Sequence, residues 1–253
     1  MKHFPKVTVI TIVRNDAEGF LITARGVLQQ DYSNIEWVVV DGLSTDGTAD
    51  YIRQLSPQIS KYKIERDNGI YDAMNKGIDM ATGDWVFFMN ADDVFYDSST
   101  ISDYISNLRE DDEIVYSDVV RREDGRIHLY RSPEKYWCGM VFDHQTACVK
   151  ADIYKKYNYD ESFKVSGDLS FFSNARINRH KFRKIRWLKG CIKPFDTGAS
   201  SSYYDRQKER VVVLRKYFDG PQLSAVLNAE FNSSLKSNVL NKKQHKSLLT
   251  LIR

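Results

Sequence analysis

Apolar and polar positions follow two alternating patterns in the first half of the chain. Runs of apolar, β-branched residues predict buried parallel strands at Val7–Val13, Glu36–Val40 and Trp85–Met89, with a short strand near Ile64. Between these runs, apolar residues recur at helical spacing, which predicts three helices. Strands that alternate with helices indicate parallel βαβ units, and therefore an α/β fold whose sheet is covered on both faces.

The pattern changes after about residue 112. Three further strand patterns follow, the last two joined into a β-hairpin by Asp124-Gly125: Ile114–Ser117, Val119–Arg122 and Arg126–Tyr130. Short helices and loops come next, and a long helical pattern runs from about Ser202 to Phe218. No linker or repeat divides the chain, so we predict a single core.

The composition narrows the class of protein. The chain has 253 residues with 37 basic and 34 acidic side chains, and a net charge of +3 gives no reason to expect a nucleic-acid partner. Three widely spaced cysteines argue against a disulfide framework and a zinc site. The first residues lack the apolar run of a signal peptide, and no stretch is long enough to span a membrane. We therefore expect a cytoplasmic protein, with peripheral contact at the inner face of the membrane left open.

The carboxyl ends of the predicted strands carry much of the candidate chemistry. Arg14 comes after the first strand, Asp41 after the second and Asn90–Asp93 after the fourth. Parallel α/β sheets bind their ligands at this edge, which makes these side chains candidates for holding a nucleotide. Asp41 is equally well explained as a residue that starts a turn.

Asp92 and Asp93 directly follow a buried strand pattern and Asn90-Ala91. Adjacent carboxylates at the end of a buried strand repel each other unless a cation lies between them and a ligand. Mg²⁺ or Mn²⁺, bound by one carboxylate and by phosphate oxygens, explains the pair. Such an ion would neutralise charge on a departing diphosphate.

Two other segments contain candidate polar residues. In the helix predicted from Asp67 to Lys76, Lys76 could offset phosphate charge, while Asp67 or Asp72 could hold a nucleotide or orient Lys76; the alternative is a solvated helix face. His144 and Gln145 lie in an aromatic-rich loop and are candidates for an acceptor site, although a lone histidine is more often a packed polar residue.

Two basic segments contain no acidic residue. Segment 176–193 has eight Lys or Arg together with Trp187, and segment 231–253 has five and ends in apolar residues. Both could face an anionic membrane surface or a lipid-diphosphate acceptor. The alternative is again a solvated face.

Four ordered motifs resemble glycosyltransferase family 2. They are VTVITIVRND, VVVDGLSTDGT, ERDNGIYDAMNKGIDMATGDW and FFMNADD, and they span residues 5 to about 97. A looser likeness continues through His144-Gln145 and YDESFKVSGDLSFF to about residue 202. The resemblance implies an α/β GT-A fold, with a Rossmann-like, mostly parallel sheet between helices and a C-terminal acceptor-side region. It also implies inverting transfer from a nucleotide-sugar donor, most simply a UDP-sugar, with Mn²⁺ or Mg²⁺.

The resemblance assigns donor-binding roles to individual positions. Asp41 would contact the base of the nucleotide, close to Thr11 and Arg14. Ser200, in the loop after Gly198, would approach the diphosphate. These assignments place the nucleotide across the ends of the first two strands and next to the C-terminal loop.

Asn90, Ala91 and Asp92 stand at the family's DXD motif, and Asp92 occupies the metal-ligand position. Asn90 replaces the acidic residue that is common there. Its amide can still hydrogen-bond a ribose hydroxyl, so the resemblance keeps Asn90 as a donor contact.

Asp168 falls where the family has its general base, which takes the proton of the attacking hydroxyl. The residue pattern alone favours another role, because Asp168 follows Ser166-Gly167 and precedes an apolar helical run, the usual place of a helix N-cap. The resemblance implies the base.

The predicted organisation is one GT-A domain with a nucleotide-sugar-binding half (1–112) and an acceptor-binding half (113–219), followed by a basic tail (220–253). The acceptor would be a saccharide or lipid-linked glycan in cell-surface polysaccharide assembly. Two other functions stay open. A sugar-nucleotide nucleotidyltransferase would need a basic, glycine-rich loop after the first strand, where this chain is acidic with one glycine. A non-catalytic binding module is suggested by Asn90.

Overall fold

The computed structural model describes residues 4–123, 126–132, 142–194, 203–221, 223 and 227. The strands are β1 (Val7–Val13), β2 (Ile35–Asp41), β3 (Lys61–Ile64), β4 (Trp85–Phe88), β5 (Val94–Phe95), β6 (Ile114–Glu123), β7 (Arg126–Tyr130), β8 (Ala147–Lys150) and β9 (Phe182–Pro194). The helices are α1 (Ala17–Leu28), α2 (Thr48–Gln54), α3 (Ile70–Met80), α4 (Thr100–Ser106), α5 (Ala151–Tyr157), α6 (Gly167–Ile177) and α7 (Tyr203–Tyr217), with a 3₁₀ turn at His144–Thr146.

Within these residues the strands form one sheet in the order β3-β2-β1-β4-β8-β6-β9-β5, with β7 paired to β6. The four strands β1 to β4 are mutually parallel, as the alternating pattern predicts. Beyond β4 the direction changes, because β8 is antiparallel to both β4 and β6 while β9 is parallel to β6. The carboxyl ends of β1, β2 and β4 therefore meet at one edge.

Helices cover both faces of this sheet, which explains why β1, β2 and β4 have apolar side chains on both faces. On one face, Met74 and Ile78 of α3 pack against Ile10, Val38 and Phe88. On the other, the partners include Phe20 of α1, Val9 of β1 and Trp37 of β2. Alternation within a strand thus separates two cores rather than a core from solvent.

The second half differs in part from the prediction. The two strand patterns between Ile114 and Arg122 are one strand, β6, whose pairing with β9 shifts register between Tyr116 and Val119. The hairpin is confirmed by pairing from Val119–Tyr130 to Glu123–Arg126, although its turn at 124–125 lies outside the described residues. The long helix α7 agrees with the predicted span.

The basic segment 176–193 is largely strand β9, not a separate solvated face. Three of its cations pair with carboxylates of β6 or of the residues just before it: Lys181 with Asp111, Arg183 with Asp112, and Lys184 with Asp118. The neighbouring strand and its approach thus supply acids that the segment itself lacks. Trp187 is exposed over 60% of its surface, and the Lys181 side chain over 63%.

Other predictions concern the chain as a whole. No helix in the described ranges is both long and apolar enough to cross a membrane. The division at residues 112 and 219 stays a prediction, and segment 231–253 lies outside the described residues.

Candidate functional site

The loop after β4 is fixed by backbone contacts with β1 and α1. Ala91 N donates to Ile12 O at 3.1 Å, which extends the ladder between β1 and β4 by one step, and Asp92 N donates to Gly19 O at 2.9 Å. Thr23 Oγ1 lies 2.9 Å from the carbonyl oxygen of Asn90 and 2.8 Å from that of Asp93. The helix after the first strand therefore holds the loop that carries Asp92.

Asp92 and Asp93, the adjacent carboxylates of the predicted cation site, have different environments. Asp93 is buried, and its Oδ2 accepts a 2.8 Å hydrogen bond from Gln145 Nε2. Asp92 is partly buried; burial, followed by the nearby carboxylates of Asp16 and Glu18, raises its pKa against the opposing effect of Arg122. Asp92 alone is the candidate metal ligand of this pair.

Asn90 continues the site toward the second half of the chain. Its Nδ2 lies 3.4 Å from His144 Nε2, and His144 Nδ1 lies 3.3 Å from Asp168 Oδ2. Asn90 Oδ1 is buried and has no hydrogen-bond partner within the described residues. The structure thus brings together three residues that are separated by up to 78 positions, and it leaves one buried acceptor unsatisfied beside them.

Asp168 lies in the first turn of α6, and the N-cap position belongs to Ser166, so the N-cap interpretation of Asp168 is wrong. Its Oδ1 accepts Leu169 N at 2.7 Å and the Tyr71 hydroxyl at 3.5 Å. Burial, and then the Asp168 charge, raises the pKa of Tyr71 well above its ordinary value, so Tyr71 remains a donor.

The start of α6 is held in place from two sides. Glu209 of α7 accepts the backbone N–H groups of Lys164, Val165 and Ser166 at 2.9, 2.9 and 3.0 Å. On the other side, a Cβ added to Gly167 would lie 2.7 Å from the Tyr71 ring. Only glycine allows α6 to begin this close to α3, and this approach fixes the distance between Tyr71 and Asp168.

The residues predicted to contact the nucleotide base lie at the ends of β1 and β2, with one correction. Asp41 is buried and accepts hydrogen bonds from the backbone N–H and hydroxyl of Ser44, so it shapes the turn after β2. Thr11 is fully buried, and its hydroxyl accepts Trp37 Nε1 at 3.0 Å. Thr11 therefore belongs to the core on the α1 side, and its side chain does not reach the open edge.

Arg14 and Asp67 meet at this edge. Arg14 Nη1 lies 3.6 Å from Asp67 Oδ1, and the arginine side chain is 56% exposed. Gly42 allows the approach, because a Cβ there would lie 2.1 Å from Asp67 Oδ2. Arg14 therefore presents an accessible cation beside the turn that follows β2.

The ammonium group of Lys76 is held by three oxygen atoms of neighbouring residues. Its Nζ lies 3.1 Å from carboxylate oxygens of both Glu65 and Asp72 and donates to Arg66 O at 2.9 Å. Burial would raise the pKa of Asp72, but the Asn68 N–H and Lys76 together lower it. Of the two roles predicted for Asp72, these contacts favour orienting Lys76, and Lys76 clamps the loop before α3.

Three residues at the open edge have a left-handed backbone, although none is glycine. Asn15 after β1 has φ 50°, Leu43 after β2 has φ 60° and Asp92 after β4 has φ 71°. This conformation is costly for most residues, and such strain concentrates at functional sites. The loops that would surround a nucleotide are thus the strained loops of the parallel half.

Sequence reasoning overlooked part of the site. Tyr71 was predicted only as an apolar-face residue, and His144 as an acceptor contact, whereas both lie against Asp168. The adjacent His144-Gln145 was the available signal, because Gln145 binds Asp93 and His144 contacts Asn90. Ser200 lies outside the described residues. Within those residues, no group of three His, Cys, Asp or Glu side chains is arranged to hold a metal ion.

Comparisons with known sequences agree on one family. The profile described as Glycosyl transferase family 2 matches residues 8–185. The chain is 34% identical over 123 residues to the PGL/p-HBAD biosynthesis glycosyltransferase of Mycobacterium bovis (strain BCG / Pasteur 1173P2), covering 47% of this chain and 48% of that relative. It is 31% identical over 191 residues to the uncharacterized glycosyltransferase MT1564 of Mycobacterium tuberculosis (strain CDC 1551 / Oshkosh), covering 70% and 71%. The chain thus spans about half the length of the first of these relatives.

Two solved structures share the architecture. S. aureus TarS 1-349 in complex with UDP-GlcNAc has a TM-score of 0.75 at 18% identity, covering 97% of this chain and 79% of that one. The mannosyltransferase PcManGT from Pyrobaculum calidifontis, in complex with GDP-Man and Mn²⁺, has a TM-score of 0.70 at 18% identity, covering 98% and 80%. This likeness confirms the predicted GT-A fold.

Proposed function

The chain belongs to glycosyl transferase family 2. We propose that it transfers a sugar from a nucleoside-diphosphate donor to a hydroxyl of a saccharide or lipid-linked glycan. The donor that we propose is a UDP-sugar. The observation that carries the proposal is the series of contacts from Asn90 through His144 to Asp168, because it joins the loop of Asp92 to the candidate base. The relatives' names support a role in glycan or glycolipid assembly, and the UDP-GlcNAc complex of TarS supports a UDP-linked donor.

In the proposed reaction, the acceptor hydroxyl attacks the anomeric carbon of the donor sugar from the side opposite the diphosphate. A carbon–oxygen bond forms while the bond to the diphosphate breaks, so the configuration at that carbon inverts. Asp168 takes the hydroxyl proton as general base. The hydrogen bonds from Leu169 N and the Tyr71 hydroxyl hold one carboxylate oxygen and thereby orient the other.

The donor end of the site is assigned to residues at the edge of the parallel strands. Asn90 Oδ1, a buried acceptor without a partner in the described residues, suits a ribose hydroxyl. Asp41 and Asp67 would lie beside the nucleotide base, and exposed Arg14 would offset phosphate charge. Ser200 completes the proposed diphosphate contacts from outside the described residues.

Asp92 is the residue that would hold Mn²⁺ or Mg²⁺. Its partly buried carboxylate lies close enough to Asp16 and Glu18 for their charges to raise its pKa, and a hard cation suits this oxygen-rich surrounding. Such ions are commonly held by one or two carboxylates together with substrate phosphates. The bound ion would neutralise the charge that develops on the departing diphosphate. The Mn²⁺ complex of PcManGT supports this choice.

A cytoplasmic site of action at the inner face of the membrane is part of the proposal, because it would bring the protein to a lipid-linked acceptor. The exposed Trp187 and the basic residues around it suit an interfacial surface. The second predicted contact, segment 231–253, lies outside the described residues.

Asp168→Asn tests the proposed chemistry. We expect the substitution to reduce nucleoside diphosphate release by about 100- to 10,000-fold, the usual contribution of a general base. Binding of UDP with Mn²⁺, measured as the rise in melting temperature, should stay unchanged because Asp168 lies at the acceptor end. UDP-GlcNAc, UDP-glucose and GDP-mannose serve as donors.

Asp111→Asn is the matched control, because Asp111 is an exposed carboxylate that pairs with Lys181 and has no part in the proposed site. Normal turnover by Asp168→Asn would exclude Asp168 as the base. Failure of the unchanged protein to bind any of UDP, GDP, dTDP and CDP, with or without Mn²⁺, would contradict a nucleotide-sugar donor.

A further inference from the structure

His144 stands between the donor end and the acceptor end of the proposed site. Its two ring nitrogens face different residues: Nε2 lies 3.4 Å from Asn90 Nδ2, and Nδ1 lies 3.3 Å from Asp168 Oδ2. The His144 and Asp168 side chains are only 13% and 15% exposed. The imidazole ring is therefore mostly buried and lies between the side chains of Asn90 and Asp168.

The backbone on both sides of His144 is anchored. Thr146 N donates to Asp143 O at 2.9 Å, and Arg121 Nη2 binds both carboxylate oxygens of Asp143 at 3.2 Å. On the other side, Gln145 Nε2 donates to Asp93 at 2.8 Å. These contacts tie the 3₁₀ turn to β6 and to the loop after β4, which fixes where the imidazole can point.

The contacts with Asn90 and with Asp168 agree on which ring nitrogen carries the proton. Asn90 Nδ2 is a donor, so Nε2 must act as the acceptor and the proton of a neutral ring resides on Nδ1. That proton faces Asp168 Oδ2. The amide at position 90 thus selects the tautomer that can hold the carboxylate of Asp168.

The two oxygens of Asp168 are then unequal. Oδ1 accepts Leu169 N and the Tyr71 hydroxyl, which occupies both of its lone-pair directions. Oδ2 receives only the His144 contact within the described residues, which leaves one lone pair for an incoming hydroxyl. Proton transfer therefore falls to Oδ2.

We propose that His144 is a positioning residue for Asp168: its Nδ1–H, set by Asn90, aims Oδ2 at the acceptor hydroxyl. The inference rests on the proposed function, since it presupposes that Asp168 is the base. It replaces the earlier prediction that His144 contacts the acceptor. It also gives Asn90 a second role, because one amide group faces the donor with its oxygen and orients the base through its nitrogen.

Two isosteric substitutions separate the two contacts of His144. In His144→Asn the amide nitrogen takes the place of Nδ1, which keeps the donor to Asp168 and loses the contact with Asn90. In His144→Gln the amide takes the place of Nε2, which keeps Asn90 and loses Asp168. We measure kcat and the donor KM for hydrolysis of UDP-GlcNAc, UDP-glucose and GDP-mannose, with water as the acceptor.

We expect His144→Gln to lower kcat by about 10- to 100-fold at unchanged donor KM, the usual effect of removing a group that orients a functional side chain. His144→Asn should stay within about threefold of the unchanged protein. His180→Gln is the control, because His180 also faces a carboxylate, Glu113, at 3.0 Å but belongs to no part of the site. Melting temperatures report any general loss of folding.

Each outcome decides a separate point. If Asp168→Asn is inactive and His144→Gln matches the unchanged protein, the positioning role is wrong and the proposed base stands. Equal losses in the Asn and Gln variants would reduce His144 to a space-filling residue. If Asp168→Asn turns over normally, the proposed function fails instead.

A second measurement needs no turnover. Nitrogen-15 NMR of the five histidines distinguishes Nδ1–H from Nε2–H tautomers, and the signal that is missing in His144→Asn identifies His144. We expect Nδ1–H in the unchanged protein and a weaker preference for it in Asn90→Ala, where Asp168 alone still favours this tautomer. An Nε2–H ring in the unchanged protein would overturn the proposal whatever the activity.

Discussion

Glu36 and Asp92, which lie at opposite ends of the parallel strands, have opposite electrostatic environments. At the amino ends, the buried Glu36 accepts hydrogen bonds from Thr8, the backbone and hydroxyl of Thr82, and the ammonium groups of Lys6 and Lys61. Burial alone would raise the pKa of Glu36, but these donors lower it to about 2. At the carboxyl ends, burial and neighbouring acids raise the pKa of Asp92.

The backbone shows the same contrast. Asn15, Leu43 and Asp92, the left-handed non-glycine residues next to β1, β2 and β4, follow the carboxyl ends of these strands, where Asn90 Oδ1 is also unsatisfied within the described residues. The amino ends thus contribute stability, whereas the carboxyl ends retain strain and unmatched charge that a donor and a cation could relieve. Substitutions at the amino ends should therefore change stability, and those at the carboxyl ends should change activity.

The largest effect on stability is expected from Glu36→Gln. The amide cannot accept from all the donors around Glu36, and we expect the free energy of unfolding at pH 7 to fall by about 2–3 kcal/mol. Because the folded pKa is lowered to about 2 from an ordinary value of 4.5, the contribution of Glu36 is complete above pH 4.5 and is lost as the pH falls toward 2. Urea unfolding at pH 7, 4 and 3 measures this.

Glu65→Gln is its control, because Glu65 also contacts two lysines, Lys63 and Lys76, but is 41% exposed. We expect a much smaller loss of stability there, because solvent screens an exposed ion pair. An equal loss in the two variants, or a Glu36 effect that is the same at pH 3 and pH 7, would remove the distinction between the two ends.

Two glycine substitutions compare the ends directly. A Cβ at Gly83 would lie 2.7 Å from Thr8 N and 2.8 Å from Lys6 O, so Gly83→Ala forces strand backbones apart and should cost about 1–3 kcal/mol of stability. The three heavy atoms nearest to a Cβ at Gly167 all belong to the Tyr71 ring, which can move away from Asp168. Gly167→Ala should therefore lower donor hydrolysis by about 10- to 100-fold with a smaller loss of stability. Urea unfolding and donor hydrolysis are measured for both variants. A larger loss of stability in Gly167→Ala, together with a larger loss of hydrolysis in Gly83→Ala, would contradict the comparison.

The smallest change in stability is expected from Asp92→Asn, and this substitution should stabilise the protein rather than destabilise it. Removing an ionised carboxylate that is partly buried near Asp16 and Glu18 should stabilise the metal-free protein at neutral pH, by less than about 1 kcal/mol. The same variant should lose the additional rise in melting temperature that Mn²⁺ gives in the presence of UDP. A lower melting temperature without metal, in contrast to Asp111→Asn, would show that Asp92 has a structural role.

The sequence predicted those parts of the fold that are locally encoded. β1, β2 and β4 coincide with their apolar runs to within about a residue, and α7 with its helical pattern. Strand β9 could not be predicted in this way, because the partners of its first basic residues, Asp112 for Arg183 and Asp118 for Lys184, lie about 70 positions away. From the sequence alone, such a charged run is interpreted as solvent-exposed, because the acidic residues that pair with it are distant in the chain.

The same limit applies to the site. Asp41, Asn90 and Asp92 could be predicted as candidates because a strand end is visible in the sequence, and their roles stay predictions. Thr11 was misplaced because β1 is apolar on both faces, so alternation does not show which side chains reach the edge. The contact between His144 and Asp168 depends on how β8 and α6 meet in space, which no local pattern contains.

The position of Asp168 also limits how this chain could be recombined with its relatives. Its carboxylate is held by Tyr71 from α3, from the half that precedes it, and by His144 from the turn before β8. A chimaera that takes only α6 and the following chain from a family member would separate the candidate base from the side chains that contact it. A graft meant to exchange acceptor specificity should therefore include residues 71, 90 and 144. Otherwise the recipient must already have the same residues at these positions.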